Sequence, residues 1–530
     1  MIARRRLLGV AGGAAAVLLT SRSTRVISAT HERRTYYVDP DGGSDTADGA
    51  SLATPWKSLS AVNAHRFRAG DAILLRRGRV WTETLRPQGS GQRSAPIVLG
   101  AYGEGPRPRV EGDGRRPALE LVDQEGWVVR DLALASPGQP GLLIDTSDHV
   151  RSFFRIVDVE VTRATDGIAV GRVRDGSRVI AGYLDDVLVE QCIVHDVTHR
   201  GIVAAGNYGP SGSRHRNVMV RGCKVFNCGR DGILVTSTSG GLIEDCVAHD
   251  CGLAADGRYG IWTWWADHVT VQRCEAYRIR TTGTKDGGGF DLDWGTSDCV
   301  VQYCYAHDND GPGFAIVGHR QWQGTAPQRH VIRYNVARSN CGKQTRERYG
   351  ELTLFGGMDD VAVYNNTIHG HGGNRNASAL LLSGWRREST DWPRRAVIRN
   401  NIVFVDQGPL LRVDQEATHS ERLNSLNHDL FHSGRGPLDL GWGRKTYDNL
   451  SEFVVATGQE QNGEAAAPGL VEPGGVAGAG RLPLQGYRLR VGSPCVDRGT
   501  MMAGHSTHDY WGGQVPVGTA PDVGAHELTS

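Results

Sequence analysis

Val187-Leu-Val-Glu-Gln-Cys192, Val218-Met-Val-Arg-Gly-Cys223, Leu242-Ile-Glu-Asp-Cys246, Val269-Thr-Val-Gln-Arg-Cys274 and Val300-Val-Gln-Tyr-Cys304 are five versions of one phrase, a short β-branched run closed by cysteine. The frame continues with asparagine in the closing place, at Ile332-Arg-Tyr-Asn335, Val361-Ala-Val-Tyr-Asn-Asn366 and Val397-Ile-Arg-Asn-Asn401. Successive closing residues lie 31, 23, 28, 30, 31, 31 and 35 residues apart. A unit of that size repeating along the chain is the mark of a solenoid. The runs are short, the turns between them are polar and Gly-rich, and no 3.6-residue period separates them. That combination predicts parallel strands stacked coil upon coil, each coil covering its neighbour's edge. The 530-residue length, which taken alone suggests several domains, is thereby assigned to a single repeating architecture.

The repeat also governs how the ten cysteines are read. In an exported protein they would suggest a disulfide framework. Exchange of Cys with Asn at one repeat position points instead to small side chains stacked in a ladder along the axis. Cys228 and Cys251 share a second offset, five residues past their markers, and neighbouring coils bring them toward disulfide range. No Cys-x-x-Cys pair occurs to suggest a thiolate metal site.

Lys and Arg total 59 against 58 Asp and Glu, so no net basic field exists to gather nucleic acid or anionic membrane. Residues 1–29 read as an export signal: Arg4-Arg5-Arg6-Leu-Leu, an apolar run from Gly9 to Leu19, then Ile27-Ser28-Ala29 as a small-residue cleavage site. The arginine pair before Leu7-Leu8 suggests the twin-arginine route, with the general secretory route as its competitor. The apolar run is well short of a membrane span. The expected product is a secreted or periplasmic monomer.

Tyr36-Tyr-Val-Asp-Pro-Asp-Gly-Gly-Ser-Asp, Ala53-Thr-Pro-Trp-Lys-Ser-Leu, Phe67-Arg-Ala-Gly-Asp71 and Ala95-Pro-Ile-Val-Leu-Gly-Ala-Tyr-Gly open the mature chain. Gly492-Ser-Pro-Cys-Val-Asp-Arg-Gly, Asp509-Tyr-Trp-Gly-Gly and Ala520-Pro-Asp-Val-Gly-Ala-His-Glu527 close it. Together with the repeat, these segments resemble the bacterial right-handed parallel β-helix proteins of the pectate-lyase-like superfamily, a group rich in polysaccharide lyases and glycoside hydrolases. The resemblance implies an all-β solenoid, with an N-terminal cap and first coils over 30–94, the parallel β-helix over 95–455, and a linker and closing segment over 456–530. Such motifs mark architecture more than activity.

After each marker a second strand opens with Gly and a bulky apolar residue: Gly201-Ile, Gly232-Ile, Gly260-Ile, Gly289-Phe and Gly313-Phe. With Ile261, Phe290 and Phe314 inward, alternation sends Trp262 and Trp264, then Asp291 and Asp293, then Ala315 and Val317 outward on successive coils. With Leu352 and Leu354 inward, Glu351 and Thr353 join the same strip. Coil spacing predicts roughly 9 to 10 Å between Asp291 and Glu351, and strand rise about 6 to 7 Å between Asp291 and Asp293. Both approach the separation of about 6.5 to 9.5 Å used by inverting glycosidases. Crowded acids should also raise one carboxyl toward the range of a general acid.

The leading expectation is therefore an inverting glycoside hydrolase acting on a polysaccharide or oligosaccharide without a cofactor. Asp291, Asp293 and Glu351 are its candidate catalytic groups and Asp286 is held in reserve. Trp262 and Trp264 are candidate sugar platforms, with Lys285, His307, His319 and Arg320 as further substrate contacts. His195-Asp196, His249-Asp250 and His307-Asp308 recur three residues past their markers, which implies a turn role; only His307 lies on a coil beside the acids. The alternative is a calcium-dependent lyase, with Lys285 as base and Asp291, Asp293 and Asp310 as ligands. A non-catalytic glycan-binding solenoid is the third reading.

Overall fold

The computed structural model describes residues 32–529, apart from 173–180, 208–211, 320–325, 344–348, 371–373, 375–376, 386–390 and 475–481. The repeat becomes three-sided coils because two single residues per coil turn the chain sharply. The residue before each marker takes a left-handed backbone: Gln191, Asp245, Arg273, Tyr303, Tyr334, Asn365 and Asn400 have φ of 50–56°, and Gly222 has 60°. A second corner follows at Asp196, Asn227, Asp250, Arg278, Asp308 and Ser339, with φ of 49–54°. One left-handed residue between two extended runs makes a corner without a loop. None of these residues is β-branched, as that region of φ demands.

The first face is built from the marker strands, such as Leu184–Glu190 and Val300–Gln302. The second face, a 14-stranded sheet, contains the short strands after the markers, such as Ile193–Val197 and Tyr305–His307. The third contains Ile202–Ala204, Gly288–Leu292, Phe314–Gly318, Gly350–Gly356 and Ser378–Ser383. First and third faces belong to one 25-stranded sheet, because Ile233–Glu244 and Tyr259–Gln272 run unbroken through both. The named strands pair in parallel, save for a terminal hairpin of Leu440–Trp442 with Lys445–Tyr447.

Cys and Asn exchange at the marker because both fill one hydrogen-bonding slot. The thiols of Cys192, Cys223, Cys246, Cys274 and Cys304 face the preceding coil's carbonyls at Ile156, Val189, Val220, Ile243 and Val271, at 3.5–3.7 Å. The amides of Asn335, Asn366 and Asn401 donate to the equivalent carbonyls of Val301, Ile332 and Val363 at 3.0–3.1 Å. The asparagines add a run of their own: Asn335 donates to Asn366 Oδ1, Asn366 to Asn401 Oδ1, and Asn401 to Asp429 Oδ1, at 2.9–3.0 Å. All ten cysteines are buried and free. Cys228 and Cys251 are register partners on adjacent strands and remain thiols.

The interior is apolar along its length, with Phe290 stacked on Phe314 at 5.0 Å and 10°. At the start of the described chain the helix Leu59–Ala64 is capped by the Ser58 hydroxyl. Toward the end, Leu470, Leu484, Tyr487, Leu489 and Val523 cover Tyr305, Val336, Ile402, Phe404 and Leu430 of the second face. Residues 33–530 form one compact unit. No helix among the described residues is long and apolar enough to cross a membrane.

Candidate active site

Cross-coil register places Leu234, Trp262, Asp291, Ala315 and Thr353 in one row of the third face. The adjacent row, Ile233, Ile261, Phe290, Phe314 and Leu352, faces the core. Alternation thus turns Asp291 away from Phe290 and Leu292, both buried in that core. The glycines before Phe290 have a steric reason. A Cβ at Gly288 would lie 2.4 Å from the Tyr259 ring, and Gly287, at φ 83°, turns the chain into the strand.

Around Asp291 lies a cavity of about 340 Å³. Three carboxyls line it, Asp286, Asp291 and Asp293, together with the aromatic side chains of Tyr259, Trp262, Trp264, Trp294, Tyr349, Phe355 and Trp385. Trp262 and Trp264 are stacked at 6.4 Å and 19°. Arg258, Lys285 and Val317 complete most of the remaining surface.

The three carboxyls have distinct surroundings. Asp291 is 2% exposed, and neither of its oxygens makes a hydrogen bond. Burial, then the charges of Asp293 and Asp286, push its carboxyl well above the usual range; the nearby amides of Leu292 and Val317 oppose this without forming aligned bonds. Asp293 is half-buried and accepts from the Trp294 amide at 2.7 Å. Burial pushes it up to about 8, the Trp294 bond pulls it down, and Asp286 adds to the rise.

The turn after Asp293 is pinned from below. The Thr296 hydroxyl donates to the Asp293 carbonyl and lies 3.1 Å from His330 Nε2. His330 accepts the Cys299 amide at Nδ1 and is pushed down to about 4 by burial, so it is neutral, with Nε2–H left to donate to Thr296. Asp286 occupies a left-handed position, φ 56°. Its Oδ1 accepts from the hydroxyls of Tyr349 at 3.0 Å and Tyr259 at 3.5 Å, and its own amide donates to Tyr349 Oη at 3.1 Å. The Tyr259 hydroxyl is held protonated by burial and by the neighbouring aspartates.

The family model described as right handed beta helix region matches residues 122–252 and 183–368. This is a right-handed parallel β-helix. The chain is 23% identical, over 633 aligned positions, to the lacto-N-biosidase of Bifidobacterium longum subsp. longum, covering 94% of this chain and 36% of that protein. It therefore spans about a third of the curated relative's length. Among solved structures, a GH136 lacto-N-biosidase from Eubacterium ramulus superposes with a TM-score of 0.50 at 19% identity, covering 65% of each chain. XylC in complex with xylose gives 0.50 at 10% identity, covering 83% of this chain and 88% of that one.

The β-helix corrects several sequence expectations. Glu351 does not join the outer strip. It is 3% exposed and accepts from the Asn340 amide at 2.9 Å and side chain at 2.7 Å. It thus closes a second polar ladder in which Asn309 donates to Asn340 Oδ1 at 2.6 Å. The start of the strand Gly350–Gly356 explains the misplacement, since the Thr353 hydroxyl bonds both the amide and the carbonyl of Gly350 and strict alternation fails there. His307 lies on the second face, not the third, in a continuous stack of His195, Phe226, His249, Tyr277 and His307 with centroids 4.8–5.0 Å apart. The aspartate after each of its histidines is the left-handed residue of the second corner.

Asp310 is engaged by Arg280 at 2.9 Å and the Thr281 amide at 3.1 Å, so the proposed calcium trio with Asp291 and Asp293 is not assembled. Among the described residues no group of three or more His, Cys, Asp or Glu is placed to hold a metal ion. His319 stands behind the cavity, with its ring against Trp294 and Trp385 and Nδ1 3.1 Å from buried Asp391. Arg320 lies outside the described residues. Lys285, Trp262 and Trp264 do line the cavity. Sequence reasoning missed Tyr349, Phe355 and Trp385. One signal existed: Tyr349-Gly350 repeats Tyr259-Gly260, a tyrosine before the glycine that opens a third-face strand.

Proposed function

We propose that this β-helix is an exported glycoside hydrolase that cleaves a glycosidic bond of an oligosaccharide or polysaccharide in the cavity around Asp291. The single observation that carries the reading is the grouping of Asp286, Asp291 and Asp293 with Trp262, Trp264, Trp294 and Trp385 in one cavity. Stacking rings and convergent carboxyls are what sugar-ring binding and acetal hydrolysis require. The similarity to the Bifidobacterium relative, a lacto-N-biosidase, supports it.

Asp293 is the general acid: raised to about 8, it holds a proton at neutral pH and can deliver it to the leaving oxygen. Asp286, held by two tyrosine hydroxyls, is the carboxylate that activates water. Glu351 drops out, so inversion now rests on the pair Asp293 and Asp286, with Asp286 in the segment that leads into the strand carrying Asp291. Hydrolysis on this plan calls for no cofactor. The export signal over residues 1–29 delivers the protein outside the cytoplasm.

The test is a panel of neutral and acidic glycans scored for new reducing ends, unsaturated product and the first-formed anomer. New reducing ends with inverted configuration, lost in both Asp293→Asn and Asp286→Asn, support the reading. A retained anomer overturns inversion alone. An unsaturated product that depends on Lys285 replaces hydrolysis by elimination.

A further inference from the structure

Buried polar atoms in folded proteins have partners, and those that lack them call for an explanation. Among those lining the cavity are both carboxyl oxygens of Asp291 and the indole nitrogen of Trp262, which is 7% exposed, on two adjacent coils. Trp262 and Asp291 are direct register partners, so they stand one coil spacing apart, about 4.8 Å. The next residue of the row is Ala315, which adds only a methyl group.

Resting on the hydrolase reading, we infer that Asp291 is a substrate-binding neutral carboxyl which, with the Trp262 indole N–H, grips the hydroxyls of an uncharged pyranose and thereby sets specificity. A bare carboxylate at 2% exposure without a donor is costly, and the group escapes that cost by keeping its proton. Burial and the neighbouring Asp293 and Asp286 favour the same state. A protonated carboxyl offers one donor and an acceptor, and an indole offers one donor. That set fits sugar hydroxyls, which both donate and accept.

It does not fit a uronate. A substrate carboxylate would enter among Asp286, Asp291 and Asp293, and the cavity's cations already have acidic neighbours, Asp231 near Arg258 and Asp256 near Lys285. Asp291 is also poorly placed to shuttle protons, because it is more deeply buried than Asp293, which lies just past the end of the same strand.

The experiment uses the full mature chain and its Asp291→Asn, Asp291→Ala and Asp293→Asn variants. Calorimetric titration employs D-xylose, D-glucose, D-galactose, N-acetyl-D-glucosamine, D-glucuronate and D-galacturonate. Wild type should bind at least one neutral sugar and neither uronate. Asp291→Ala should weaken that binding by roughly tenfold or more, whereas Asp291→Asn, which keeps a donor and an acceptor, should weaken it by about threefold and raise KM equally. Its melting temperature should hold or rise, since an unpartnered acid is removed; a structural carboxyl would lower it.

Turnover abolished in Asp291→Asn as in Asp293→Asn, with sugar binding intact, would make Asp291 the reacting group and overturn the inference. Unchanged binding in Asp291→Ala, or wild type binding only uronates or no sugar, overturns it too. Absent cleavage with Asp291-dependent binding of a neutral sugar sinks the hydrolase and leaves this assignment supported.

Discussion

Burial holds the Asp293 carboxyl up to about 8, so at neutral pH it carries a proton that it can give away. Because the acid works only while protonated, activity should fall as pH rises through about 8. A kcat/KM profile with no alkaline limb there removes Asp293 from that role. Glu351 is also raised to about 8 by burial, yet it stands under the coil bonded to Asn340, so Glu351→Gln should leave the limb in place. Tyr349→Phe deletes the hydroxyl that joins the carboxyl and the amide of Asp286. We expect about a tenfold loss in kcat with KM little changed, the size of one lost positioning bond near a reacting group. Steady-state kinetics showing less than a twofold change would make Tyr349 a bystander. Asp291 and Asp293 were legible in the sequence because alternation is strict where Phe290 and Leu292 anchor the strand in the core. Glu351 was misread because the Thr353 hydroxyl ties back to Gly350 and breaks that alternation.

At the scale of strands and ladders, each rung depends on its successor. Asn366→Ala removes the acceptor for both the amide and the side chain of Asn335. Leaving buried donors unpaired costs about 1–3 kcal/mol each, so urea melts should show a loss of a few kcal/mol. Exchange at a Cys rung, as in Cys246→Ala, removes only a weak donor and should cost less. The Asn run ends on Asp429, which faces Glu460. Burial raises both acids, and the proximity of Asp429 drives Glu460 higher still. A carboxyl raised in the folded state binds its proton more tightly there than in the unfolded chain. Its stabilisation is complete below the ordinary carboxylate range, near 4, and is lost as pH rises above it. Glu460→Gln should flatten the decline of the urea midpoint between pH 5 and 8, by up to about 1.4 kcal/mol per pH unit for one retained proton. An unaltered slope would show that the pair does not hold that proton. The ladder was visible in sequence as a Cys/Asn exchange. Its carboxylate terminus was not, because Ser425-Leu-Asn-His-Asp429 closes the next unit with neither Cys nor Asn, and Glu460 lies beyond it.

Over the whole molecule, all ten thiols are buried with no disulfide between them. Ellman's reagent should find none reactive in the native protein and ten after denaturation; eight would mean that Cys228 and Cys251 had joined. The solenoid was readable because the period repeats. The cavity was only half readable, because Tyr349 and Phe355 reach it from one coil and Trp385 from the next, and the three share no repeated phrase. The asparagine ladder has a direction, each rung donating from its side chain to the side-chain oxygen of the rung that follows until Asp429, which has no side-chain hydrogen to hand on when ionised. Length is therefore written into the chain as punctuation. A duplicated coil can be spliced between Asn335 and Asn401 and find both a giver and a taker, but one added after Asp429 meets a rung that gives nothing. Gene duplication can lengthen this solenoid from within, and the stop at Asp429 travels with the end.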